Sequence, residues 1–170
     1  MTLFKIFLIL ISIFIFTIKD SYAFTSKKNN SCESVIKTLE DYTDIPKNLL
    51  SSIGKAESGR ILKNNKHTIW PWTVNHAGKS LFFDTKKQMQ KYVLKHVKMK
   101  DFNLDVGCMQ ISLKWHSDNF DTLEQAFDHV ININYAADFL KKLFSIHKDW
   151  NLAIKHYHSS DPKKNIKYHQ

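Results

Sequence analysis

The sequence predicts a mainly α-helical domain interrupted by one small β-hairpin, on three observations. Apolar residues recur at steps of three and four through most of the chain, which is the helical period. Strand-forming residues gather around a turn only over residues 68–83. Beyond an N-terminal export signal, the chain is about the length of one compact domain.

Residues 1–23 read as that signal. Lys5 supplies the positive start, residues 6–18 an apolar run of 13, and Ser21-Tyr22-Ala23 a small-x-small cleavage site. A membrane helix needs about 20 apolar residues, so the run reads as cleaved, and membrane attachment would arise only through an uncleaved signal. Residues 24–31 are polar and read as a disordered lead-in. Residues 32–170 then form a single domain. Val35 and Leu39 mark its first helix, which breaks at Thr43-Asp44-Ile45-Pro46. Pro46 suits the first turn of a second helix, on which Leu49, Leu50 and Ile53 share a face.

In the hairpin, Ile69, Trp70, Trp72, Thr73 and Val74 form one strand, with Pro71 confining it to an edge. Asn75-His76-Ala77-Gly78 makes the turn, and Ser80-Leu81-Phe82-Phe83 returns. Asp84 is placed to cap the next helix, whose Met89, Tyr92, Val93, His96 and Val97 form one face. A short helix is expected over 106–115. Another starts at Thr122, with Asp121 and Glu124 as a capping box. The longest aligns Ile133, Ala136, Ala137, Leu140, Leu143 and Phe144, and the last Trp150, Ala153, Ile154 and Tyr157.

The formal net charge is +9, and removing Lys5, Lys19 and Asp20 with the signal leaves +8. Almost all of it is lysine, and Arg60 is the only arginine. Such an excess suits a polyanionic partner: cell wall, nucleic acid or a membrane surface. Export favours the wall, and no nucleic-acid-binding motif is present. Cys32 and Cys108 are the only cysteines. An even count in an oxidising compartment favours a disulfide, while two separate buried thiols would serve as small hydrophobes. The nine histidines make no metal motif: His156 and His158 fall on different helix faces, and no His-Glu-x-x-His occurs. No cofactor is expected.

The candidate for chemistry is Glu57, within Ala56-Glu57-Ser58-Gly59-Arg60. Positions 49, 53 and 57 are successive steps of four, so Glu57 continues an apolar stripe. Burying a charge there is costly, and desolvation favours the protonated form that a general acid needs. Gly59 can end the helix and leave the carboxyl at a cleft edge. A structural ion pair with Arg60 is the alternative use of the same residue. The other glutamates have structural explanations: Glu124 as a cap, Glu33 at a helix start favoured by the dipole, Glu40 near a helix end.

Glu57-Ser58 at a helix end, Gly107-Cys108-Met109-Gln110-Ile111 further on and Tyr157 in a late helix occur in that order. In these the chain resembles the soluble-type lytic transglycosylases, bacterial enzymes with a lysozyme-like catalytic domain. The resemblance covers essentially all of residues 32–170. Trp70-Pro71-Trp72-Thr73 with Asn75 resembles the hairpin of a small-enzyme subgroup that accompanies secretion and other envelope-spanning machines.

The resemblance implies a lysozyme-like fold, periplasmic action on peptidoglycan, and Glu57 as sole acid and base. It implies support from Ser58, Gln110 and Tyr157, and a cleft wall that includes Met109. Trp72 and Asn75 would be substrate contacts. Cys108 stands where the family has leucine, a swap that also permits a disulfide to Cys32. His158-Ser159-Ser160 stands where the wider family has Asn-x-Gly.

Two other functions fit the same residues. A hydrolytic muramidase would differ only in letting water attack. A non-catalytic wall-binding component of a secretion apparatus would use the basic surface alone, and would have no reason to place an ionisable group on an apolar stripe.

Overall fold

The computed structural model describes residues 31–158. The signal over 1–23, the lead-in up to residue 30, and Ser159 and Ser160 lie outside the described residues. No described helix is long and apolar enough to cross a membrane. Seven helices and a small antiparallel sheet make the described part mainly helical, in agreement with the predicted class.

Helix α1, Cys32–Tyr42, opens on Ser31, whose hydroxyl accepts the Ser34 amide at 3.2 Å. Ser31 is thus a cap rather than the end of the lead-in. Helix α2, Leu49–Ser58, starts at Asn48, which has a left-handed backbone and no capping side chain. Glu40 at the far end of α1 does that work from outside, accepting the Ser51 amide at 2.9 Å. Pro46 stands before the helix, its carbonyl accepting the Leu49 amide.

Gly59 ends α2 with extended, not left-handed, backbone and begins strand β1, Gly59–Ile61. A side chain at Gly59 would strike the Lys55 carbonyl oxygen, so the glycine is required for close approach. Strand β1 pairs with β2, His67–Ile69.

The anticipated strand through Pro71 is therefore two strands. Ile69 ends β2, Pro71 lies between, and β3 runs Thr73–His76 to pair with β4, Lys79–Phe82, across Ala77-Gly78. The hairpin belongs to a four-stranded sheet, β4-β3-β5-β6, completed by β5, Leu104–Val106, and β6, Ile111–Ser112. Residues 104–112 are thus strand, turn and strand, in place of the helix expected over 106–115. Only Leu113–His116, α4, is helical there.

Thr85, not Asp84, caps helix α3, Lys86–Lys98, in a reciprocal box with Gln88. Helix α5, Leu123–Ala126, has no side-chain cap, because Gln125 rather than Glu124 reaches back to Asp121. Helices α6, His129–His147, and α7, Trp150–His158, complete the described residues, with Phe144 stacked on Trp150 at 4.1 Å.

Among the described residues, the buried hydrophobic side chains form two clusters. One holds Ile36, Leu50, Ile53, Ile69, Met109, Ile133 and Leu140 from α1, α2, β2, α6 and the β5–β6 hairpin. The other packs β3 and β5 against α3 through Val74, Met89, Val93, Leu104 and Val106. The β5–β6 hairpin supplies residues to both: Val106 to the second, Cys108, Met109 and Ile111 to the first.

Candidate active site

The turn Gly107–Gln110 is where the site is assembled. Its backbone is shaped by positive φ at Gly107 (82°) and at Gln110 (48°). The turn has partners on β3, α1, α2, α6 and α7. The Gly107 amide donates to the Thr73 carbonyl on β3 at 2.9 Å. Cys108 is disulfide-bonded to Cys32 at the start of α1, with Cα atoms 6.1 Å apart. Its carbonyl accepts the Ser58 hydroxyl at 2.7 Å. The Met109 amide donates to Asn132 Oδ1 at 3.0 Å, and its carbonyl accepts the Tyr157 hydroxyl at 2.8 Å. Gln110 folds back, its Nε2 donating to the Gly107 and Thr73 carbonyls at 2.9 and 3.2 Å.

Glu57 is the residue before Ser58, so the Ser58–Cys108 bond fixes the end of α2, and with it the carboxyl, against this turn. Leu50, Ile53, Gly54 and Ser58 are the buried residues of α2. Glu57 lies at the margin of that stripe, its side chain 19% exposed. Gly54 lets the helix backbone approach the core: a side chain there would come within 2.9 Å of Ile69 and 3.3 Å of Met109.

The anticipated Glu57–Arg60 pair does not form. Arg60 turns the other way, 4.0 Å from Asp84 and over the Trp70 ring at 4.7 Å. Glu57 Oε1 instead lies 3.1 Å from Nδ1 of His158, in the last turn of α7. Tyr157 stands beside them. Burial drives its phenol well above the ordinary value, and the charges of Glu57 and Tyr135 add to the shift. The Tyr157 hydroxyl is thus a neutral donor held between the Met109 carbonyl and the field of the Glu57 carboxylate.

An aromatic flank continues from it. Tyr157 packs on Phe139, which faces the His116 ring at 4.8 Å, and the Tyr135 hydroxyl bonds His116 Nδ1 at 2.7 Å. Burial lowers the basicity of His116, keeping that imidazole neutral.

Of the residues singled out in the sequence, the structure gathers Glu57, Ser58, Met109, Gln110 and Tyr157 around one turn. Ser58 acts on the carboxyl through the helix end, by its bond to the Cys108 carbonyl. Met109 is fully buried, so its side chain is core rather than cleft wall, and what it presents to the site is backbone. Of the two expected substrate contacts on β3 and just before it, Trp72 packs on the second cluster, edge-on to His129, and Asn75 accepts the Gly78 amide at 2.8 Å to close its own hairpin.

Two further residues belong to the site. In the sequence, His158 is only a departure within the last motif. Asn132 is wholly buried and holds the turn by accepting from Met109 and donating to the Val106 and Ala126 carbonyls. The signal for Asn132 is present in the sequence: it lies four residues before Ala136 on the buried face of α6, a polar group that must be satisfied there. Comparison of the chain with protein-family models, with curated proteins and with solved structures finds no match.

Proposed function

We propose that this protein is a lytic transglycosylase of lysozyme-like fold that acts on periplasmic peptidoglycan. The observation that carries the reading is the placement of Glu57. It is a half-sheltered carboxyl at a helix end, with a neutral phenol and an imidazole beside it, and its helix is pinned to a turn that other elements hold from several sides.

In the proposed reaction, protonated Glu57 donates to the glycosidic oxygen between N-acetylmuramic acid and N-acetylglucosamine, and the bond from that oxygen to the muramyl C1 breaks. The Glu57 carboxylate then takes the proton of the muramyl C6 hydroxyl as its oxygen bonds to C1, closing a 1,6-anhydro ring. The same group serves as acid and then base, so the proton returns to Glu57 and no water enters. The second carboxylate of ordinary glycosidases is not required, because the substrate's acetamido group can stabilise the charge at C1.

Tyr157 keeps a donor near the carboxyl without ever adding a charge. The basic surface favours approach to an anionic wall, and service to an envelope-spanning machine belongs to the same proposal.

The test is mass spectrometry of purified peptidoglycan digested by the protein beside a Glu57→Gln variant. The expected products are lighter than hydrolysis products by one water, and they vanish in the variant with its melting temperature unchanged. Reducing ends would assign hydrolysis instead. A silent wild type, or a variant as active as wild type, would overturn the assignment of Glu57.

A further inference from the structure

We propose that His76, His96 and Asp101 form a binding site for a divalent transition-metal ion of the zinc class, clamping β3 to the C-terminal end of α3 and the turn after it. The three side chains come from two segments of chain, β3 and the end of α3 with the turn after it. His76 ends β3, where it is paired with Lys79 on one side and Leu104 on the other. His96 lies in the last turn of α3, and Asp101 in the turn beyond, its amide donating back to the His96 carbonyl at 3.0 Å. Their ligand atoms all lie within 4.8 Å of one another. Asp101 Oδ2 is 2.8 Å from His76 Nε2 and 3.2 Å from His96 Nδ1. A tetrahedral ion with ligands at about 2.0 Å needs them roughly 3.3 Å apart, so small rotations suffice.

The surroundings fit as well. Metal-bound histidines use their second nitrogen on a fixed polar partner. His76 Nδ1 has one, the Tyr92 hydroxyl at 2.7 Å. With Nε2–H donating to Asp101, Nδ1 accepts from Tyr92; with Nε2 on an ion, Nδ1–H donates to the same oxygen. A hydroxyl serves either state.

Two imidazoles and one carboxylate select zinc, copper, nickel or iron over magnesium or calcium. His76 and His96 are 20% and 16% exposed and Asp101 35%, which leaves an open side for a water as fourth ligand.

Zn2+ titration of the chelator-stripped full chain, by calorimetry and by histidine NMR, tests the site. The expectation is one bound equivalent, a raised melting temperature, no response to Mg2+ or Ca2+, and shifts confined to two of the nine histidines. His96→Gln and Asp101→Asn should weaken binding about 100-fold or more, and Tyr92→Phe about 10-fold while keeping the ligands. A double His147→Gln, His156→Gln variant removes the other close histidine pair, whose rings stack at 4.2 Å, and should bind as wild type.

Absence of Zn2+ binding by the wild type, or binding lost only in that double variant, would overturn the site. If the ligand variants fail to fold, the wild-type histidine spectrum decides: shifts at histidines other than 76 and 96 reject the proposal.

Discussion

Glu57 and His158 meet across 101 residues of sequence, Nδ1 to Oε1 at 3.1 Å, with the imidazole side chain 31% exposed. The imidazole is bonded to the carboxyl of the proposed reaction and so helps fix the direction in which that carboxyl faces. His158 is therefore a positioning residue for the proposed reaction. His158→Gln should lower kcat about 10- to 100-fold with little change in KM. Steady-state assays that separate kcat from KM check this. A fall in melting temperature with an unmoved kcat would mark the histidine as structural only. Glu57 itself is legible in the sequence because an acidic residue continues an apolar stripe. His158 is not, because nothing local to it reveals a partner at the end of another helix.

The Gly107–Gln110 turn and the helix starts around it show the same dependence at the level of elements. Gly107 has φ of 82°, and a side chain there would lie 2.7 Å from Asn132 Nδ2. Gly107→Ala should cost about 1–2 kcal/mol for the conformation alone, and more as Asn132 is displaced from the Met109 amide. Urea unfolding measures the loss, and wall-digestion assays should show activity falling further than the residual fold explains.

Glu33 tests how α1 is joined to β2. Burial pushes its carboxyl up, but hydrogen bonds from Thr68, its own backbone amide, Ile69 and Ser31 outweigh that, and the net shift is downward. A depressed folded value means the unfolded chain binds the proton first. The stabilisation is present above the ordinary value near 4.5 and is lost as pH falls through the folded value. Glu33→Gln should therefore flatten the acid limb of the stability curve below about pH 4.5 and lower the plateau above it, read by urea midpoints across pH.

These elements also show where sequence reading stops. Long helices such as α3 and α6 announce themselves by period. Strands of two or three residues are too short for alternation to register, and β5 and β6 exist because of pairings with distant segments. Gln110 at positive φ carries no glycine to warn of a turn. The cap of α3 falls one residue from its expected place, and Gln125 rather than Glu124 reaches Asp121 before α5, because Asp84 and Thr85, or Glu124 and Gln125, offer similar chemistry side by side.

Across the described residues, two hydrophobic clusters share one hairpin, and the turn at its tip carries the candidate site. The sole covalent crosslink of the described residues, Cys32–Cys108, is fixed to that same turn across 76 residues of chain. Closing a loop of that length stabilises by about 4 kcal/mol in the chain-entropy model, acting on the unfolded state. In the folded state the turn has other holds: Ser58 on the Cys108 carbonyl, Asn132 and Tyr157 on Met109, and Thr73 on Gly107. Crosslink and hydrogen bonds therefore divide the labour, one setting how much protein is folded, the others where Glu57 points. A Cys32→Ser, Cys108→Ser double variant should unfold at markedly lower urea, by about 2–5 kcal/mol, yet keep near wild-type kcat well below its melting temperature. Equilibrium unfolding and turnover measured on the same preparation decide the matter. A large loss of kcat in protein that is still fully folded would mean that the disulfide, not the hydrogen bonds, positions the carboxyl.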